Sequence, residues 1–200
     1  MSKTKLFNLA LVSALIFCMI FSMVGFTDSC EEMHENIIRI RIIANSDSDY
    51  DQALKIKIRD SVLKASKEIY KDSDSYDLAV DATEDNLDNF LSVAQNTVYE
   101  SGFDYKVSVD FRKEFFETRV YDDFTLPAGF YETAVFTVGD GKGKNWWCVI
   151  FPRVCVGACS DRLETTLSKD TAKVAYGGSK FTVKFKTVEI FEKIKKFFDF

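Results

Sequence analysis

The run Gly139-Asp-Gly-Lys-Gly-Lys-Asn-Trp-Trp-Cys-Val-Ile-Phe-Pro-Arg-Val-Cys155 concentrates the side chains of this sequence that are best suited to chemistry: glycines, lysines, paired tryptophans and two cysteines. Glycine with lysine raises the possibility of a phosphate cradle. A Walker loop needs a Gly, four residues, then Gly-Lys and a hydroxyl residue. Counting back from Gly143-Lys144 reaches Val138, and Asn145 stands where Ser or Thr belongs. A dinucleotide fingerprint requires a helix after the glycines, whereas Trp146, Trp147, Val149, Ile150 and Phe151 read as a strand. The run is therefore expected to be a hairpin loop whose glycines supply positive backbone angles.

Nucleophilic chemistry has little to work with. His34 is the only histidine and lies next to the apolar N-terminal segment, so no Ser/His or Cys/His triad is assigned. Carboxylates are plentiful, among them Asp47, Asp49 and Asp51, and Asp122 with Asp123. Paired carboxylates could serve a glycosidase, but acids in such runs usually cap helices or face solvent. The Asp47/Asp49/Asp51 spacing also matches the opening of a calcium loop, yet Gln52 takes the place of the turn glycine and Ile58 that of the closing Glu. No metal or cofactor is expected.

Of the five cysteines, Cys30, Cys148, Cys155 and Cys159 follow the apolar N-terminus. Cys148 and Cys155 are the favoured disulfide pair, because Pro152 between them helps the chain turn back. A half zinc site at Cys155 and Cys159 is the alternative, and it lacks a second cluster. Trp146 and Trp147 are neighbours on a strand, so they point to opposite faces. Either one looks outward as an interface anchor, or helices cover the second side and bury both.

The elements that must position these residues follow from periodicity. Residues Leu6 to Phe26 are apolar except for Asn8, Ser13 and Ser22, long enough to span a bilayer at roughly 20 residues per crossing. Lys3 and Lys5 precede this stretch and four acids follow it, which places the N-terminus in the cytoplasm and the remainder outside. Residues 1–27 are expected to be a signal peptide or membrane anchor, 28–36 a polar spacer and 37–200 one exported domain.

Within that domain, Ile38, Ile40 and Ile42 form one face of a strand. Leu54, Ile58, Val62, Ala65 and Ile69 then stripe a helix over about 50–70, followed by a polar link over 71–82. Thr83-Glu84-Asp85-Asn86 reads as the start of a second helix that ends at Gly102. Strands are expected at 105–111, 117–121, 131–138, 146–151 and 181–188, with a terminal amphipathic helix from Ile190. The result is an α+β fold: a mixed, mostly antiparallel sheet with two helices packed on one face, preceded by an N-terminal hydrophobic helix.

The composition suits a folded domain, with 46% apolar residues and only 2 prolines. The first 27 residues hold two lysines and no acid, so the rest carries 24 basic against 31 acidic side chains. That balance repels nucleic acid, and the lysines and arginine between Lys55 and Lys67 scatter around a solvated helix.

Four segments occur in a specific order: Ile43-Ala-Asn-Ser-Asp-Ser, Asp51-Gln-Ala-Leu-Lys-Ile-Lys-Ile-Arg-Asp, Leu126-Pro-Ala-Gly-Phe-Tyr, and Gly141-Lys-Gly-Lys-Asn-Trp-Trp-Cys-Val-Ile-Phe-Pro with Cys155. Behind an export segment, this order resembles the stage II sporulation protein R family. The resemblance implies a non-enzymatic signalling protein of endospore-forming bacteria, made in the forespore and exported between the two septal membranes. There it would activate the membrane-embedded aspartic protease stage II sporulation protein GA, which matures the precursor of the early mother-cell sigma factor.

No small-molecule substrate is implied. The receptor-facing residues expected are Asn45, Asp47 and Asp51 in the first turn, and Lys142, Lys144, Trp146 and Trp147 at the glycine loop. Asp47 or Asp51 could instead cap the helix, and Arg59 could pair with an acid. Competing readings are an exported carboxylate-dependent hydrolase acting on envelope material, and an envelope scaffold bound to like domains.

Overall fold

The computed structural model describes residues 3–121, 123–152 and 166–197. The chain divides into two compact units: His34–Phe116 with Gly129–Ser168, and Met1–Met33 with Glu117–Ala128 and Lys169–Phe200.

The first of these units is built on a four-stranded sheet. Its strands are β1 (Ile38–Ile43), β2 (Val107–Phe116), β5 (Gly129–Val138) and β6 (Asn145–Phe151), in the order β2-β5-β1-β6. β1 runs parallel to β5 and antiparallel to β6, and β2 is antiparallel to β5. The mixed α+β architecture is thus present.

β5 and β6 are consecutive but not adjacent, because β1 lies between them. The glycine-rich connection is therefore no hairpin loop. It passes over the end of β1, which explains why it meets the residues that follow β1.

Three helices, not two, share one core with the sheet: α2 (Asp49–Ile69), α3 (Tyr76–Asp85) and α4 (Leu87–Glu100). The α2 stripe buries Leu54, Ile58 and Val62 against Ile38, Ile40 and Ile42, each such side chain contributing about 1.5–3 kcal/mol. The expected polar link is largely α3. Ser75 caps that helix by accepting the Leu78 N–H, and Thr83 sits inside it, bonded at 2.8 Å to the Tyr70 hydroxyl. Only Asn86 separates α3 from α4. Gln95 of α4 then pins the start of β2, donating to the Tyr105 carbonyl and accepting from the Val107 N–H.

The second unit contains most of α1 (Lys3–Asn36), the short strands β3 (Arg119–Val120) and β4 (Thr125–Leu126), α5 (Lys169–Tyr176), a 3-10 turn (Gly178–Phe181) and α6 (Thr182–Phe197). Helix α1 continues without a break through residues 28–36. Among the described residues, no helix is long and apolar enough to cross a membrane.

The strand expected at 181–188 is helical. Phe181, Val183 and Phe185 alternate as a strand would, but Phe185 and Val188 are buried at helical spacing and Phe26 of α1 packs on the Phe185 ring at 5.0 Å. Burial of that face decides between two readings of a short apolar run.

Candidate functional site

β1 ends at Ile43, and the next eight residues carry Asn45, Ser46, Asp47, Ser48 and Asp51. Side chains of these types bond to nearby backbone and so break strands and start helices. Ser48 caps α2, its hydroxyl accepting the Asp51 N–H at 3.2 Å. Neither Asp47 nor Asp51 is the cap. Asp51 points inward, almost fully buried, where its Oδ2 accepts from Asn45 Nδ2 at 2.9 Å and from the Ser46 hydroxyl at 2.6 Å. Burial alone would raise its pKa, but donors from Ser46, Asn45, Tyr105 and Ser48 prevail and hold the carboxyl below its usual range.

The glycine loop closes on this turn. Asn45 Oδ1 accepts the Asp140 N–H at 2.9 Å, Asp47 Oδ1 accepts the Lys144 N–H at 2.7 Å, and the Asn45 and Ala44 carbonyls accept from Lys142 and Gly143. Lys55 of α2, itself buried, donates to the Lys144 carbonyl at 3.0 Å and to Gln52. Desolvation lowers the Lys55 pKa, partly offset by Asp47.

Two glycines are required by this close approach. Gly139 has φ 56° and faces Asn45, and a Cβ on Gly143 would run into the Ser46 carbonyl. The two segments picked out separately in the sequence therefore form one braced corner. Within it Asn45 and Asp51 serve as internal struts and Asp47 braces the loop from an exposed position, while Lys142, Lys144 and Tyr50 project outward, Tyr50 being 79% exposed. Tyr50 carried no sequence signal, since nothing in its spacing separates it from the α2 stripe.

The tryptophans do point to opposite faces, Trp146 opposite Ile42 and Trp147 opposite Arg41. Both are half-buried, and each lies under an arginine. Arg59 sits 4.7 Å from the Trp146 ring, and also pairs with Asp60 at 2.6 Å. Arg41 sits 4.7 Å from the Trp147 ring while gripping Glu114 through two bonds of 3.0 and 3.1 Å.

Beyond Arg41 on the same face, Arg39 is fully buried, stacked 3.8 Å from the Phe116 ring. Sequence reading missed this second face. The alternation Ile-Arg-Ile-Arg was its only sign, and it reads as easily as a solvated strand edge.

His34 rests edge-on against Tyr131 at 4.8 Å, and its ring occupies the space a side chain at Gly129 would need. It is a packing residue. Cys148 is buried in β6, while Cys155 and Cys159, its expected partner and the alternative ligand, lie outside the described residues. Among the described residues no disulfide joins two cysteines, and Cys18 and Cys30 are free. Burial pushes the Cys30 thiol up to about 12, which keeps it protonated.

No group of three or more His, Cys, Asp or Glu among the described residues could hold a metal. A cavity of about 440 Å³ in the second unit has Glu189 as its one lining carboxylate among the described residues, and that group is bonded to Lys186 and Lys193.

The family model described as stage II sporulation protein R matches residues 34–161. A 121-residue stretch is 43% identical to Stage II sporulation protein R of Bacillus subtilis (strain 168), covering 60% of this chain and 54% of that protein. The alignment thus spans about half the length of the curated relative. No solved structure matches. The family match opens at His34, where the sheet-bearing unit also begins. With more than half of its length matched, the chain belongs to the stage II sporulation protein R family.

Proposed function

We propose that this protein is an exported sporulation signal that works by binding. Its receptor is a membrane-embedded aspartic protease of the stage II sporulation protein GA kind, and the outcome is maturation of a precursor sigma factor. The observation that carries the reading is the braced corner inside the family-matched segment: a rigid frame whose internal bonds consume Asn45, Asp47 and Asp51 and leave Lys142, Lys144 and Tyr50 facing out.

A ligand that activates must prefer the active arrangement of its receptor. Moving a protease from almost wholly inactive to almost wholly active takes a preference of about 10⁴-fold. A preformed surface favours such discrimination, because little ordering is lost on contact. Export through the N-terminal apolar segment, retained as an anchor or removed, places the corner between the forespore and mother-cell membranes. That oxidising space suits a Cys148–Cys155 bridge.

The test is co-production of the chain with the protease and the sigma-factor precursor in a heterologous host. Precursor shortening is expected, and its absence with export verified overturns the reading. Lys142→Glu with Lys144→Glu should reduce shortening while leaving the fold intact, because both lysines brace the corner through their backbone and the Lys142 ammonium pairs with exposed Asp140.

A further inference from the structure

Helix α6 is apolar on two faces. One face buries Phe185 and Val188. At about 100° per residue, Val183, Ile190, Phe191, Ile194 and Phe197 fall on the opposite side within an arc of about 120°, and they are 52–82% exposed. Lys184 and Lys195 line one edge of this arc, and Lys186 and Lys193 line the other. The helix holds five lysines against two glutamates. Glu189 and Glu192 are turned toward the buried side, where Glu189 pairs with Lys186 and Lys193, and Glu192 with Lys195.

An apolar stripe bordered on both sides by lysines is the pattern of a helix that lies in a membrane interface: the apolar face enters the acyl boundary and long basic side chains reach back to the headgroups. A second copy of the chain is a poor occupant, since mating two such faces would bring four rows of lysine together. The neighbouring element agrees. Phe26 of α1 packs on Phe181 and Phe185 at 5.8 and 5.0 Å, with the Lys184 ammonium 5.7 Å from its ring. Immediately before Phe26, α1 exposes Leu6, Phe7, Leu9, Leu11, Val12, Leu15, Phe17, Phe21 and Val24 by 51–73%. The exposed apolar stretch of α1 thus ends next to the residue that packs on the buried face of α6.

We infer that α6 is an interfacial helix that lays its Ile190, Phe191, Ile194 and Phe197 face on an anionic lipid surface. This deepens the membrane attachment proposed above, and it fails separately from it.

The test uses the full chain reconstituted into vesicles of phosphatidylcholine alone or mixed with phosphatidylglycerol, with hydrogen exchange followed over Thr182–Phe197. Exchange there should be about tenfold slower on the anionic vesicles. Ile190→Ser with Ile194→Ser, at positions already exposed, should abolish the slowing, and Lys184→Gln and Lys195→Gln should each weaken the anionic preference by about fivefold. Equal exchange on both vesicles while the chain still floats with them overturns the inference and leaves attachment through α1 standing. Failure to float with either overturns both. Slowing without lipid that grows with protein concentration also overturns it, in favour of a second copy.

Discussion

The braced corner and helix α6 reverse the usual rule in opposite directions. At the corner, polar side chains go inward: Asp51 is 4% exposed and its carboxylate gathers hydroxyl and amide donors. On α6, large apolar side chains go outward, up to 82% exposed at Phe197. A buried charge is tolerated only where donors satisfy it, and an exposed apolar stripe persists only where something other than water meets it. The first region is a device for rigidity and the second a device for contact, although composition would suggest the reverse.

The largest expected effect comes from removing the centre of the corner. Asp51→Ala leaves Asn45, Ser46 and Tyr105 without their acceptor and should cost about 3 kcal/mol in urea unfolding. The same carboxyl sets a pH signature. Its pKa is held below that of the unfolded chain, so its contribution is fully present above the unfolded value and is lost as pH falls through the folded one. The stability gap between wild type and Asp51→Asn should therefore narrow below the usual carboxylate range and stay constant above it. A gap independent of pH would show that Asp51 acts by shape alone.

Gly143→Ala comes next. Its Cβ meets a backbone carbonyl that cannot rotate aside, and about 2 kcal/mol should be lost, with thermal unfolding as the measurement. Arg41→Lys tests the sheet's other face. Lysine keeps the charge but cannot bond Glu114 and Asn145 at once, as Nη1 and Nε of Arg41 do, or stack on Trp147, so about 1 kcal/mol is expected, with a change in tryptophan fluorescence. Ile194→Ser should be the mildest, within about 0.5 kcal/mol in lipid-free solution. A large loss there would mean that the α6 face supports the fold, and the contrast between the two regions would dissolve.

Periodicity revealed those parts of the fold where one face is strongly apolar. β1, α2 and β6 could be read directly because Ile38/Ile40/Ile42 and Leu54/Ile58/Val62 repeat at the spacing of their elements. α3 is hard to read because only Ala79 and Thr83 are fully buried, while Tyr76, Val80 and Ala82 are partly covered and interleaved with Asp77, Asp81, Glu84 and Asp85. At the site, the residue types and the two motifs were legible, but their union was not. Asn45 and Gly139 are far apart in the chain, and only the strand order makes them neighbours.

What the sequence by itself determined is local and compositional. It sets the alternation of strand residues, the stripe of α2, the apolar N-terminus and the ordered motifs that mark the family, because side-chain direction follows a fixed period along each element. Tertiary structure alone decided that β1 enters between β5 and β6, that the glycine loop therefore crosses β1 and locks onto the turn after it, and that α6 has one apolar face buried and the other bare. These are outcomes of pairing and burial between distant segments, and no local period encodes which partner a face will find.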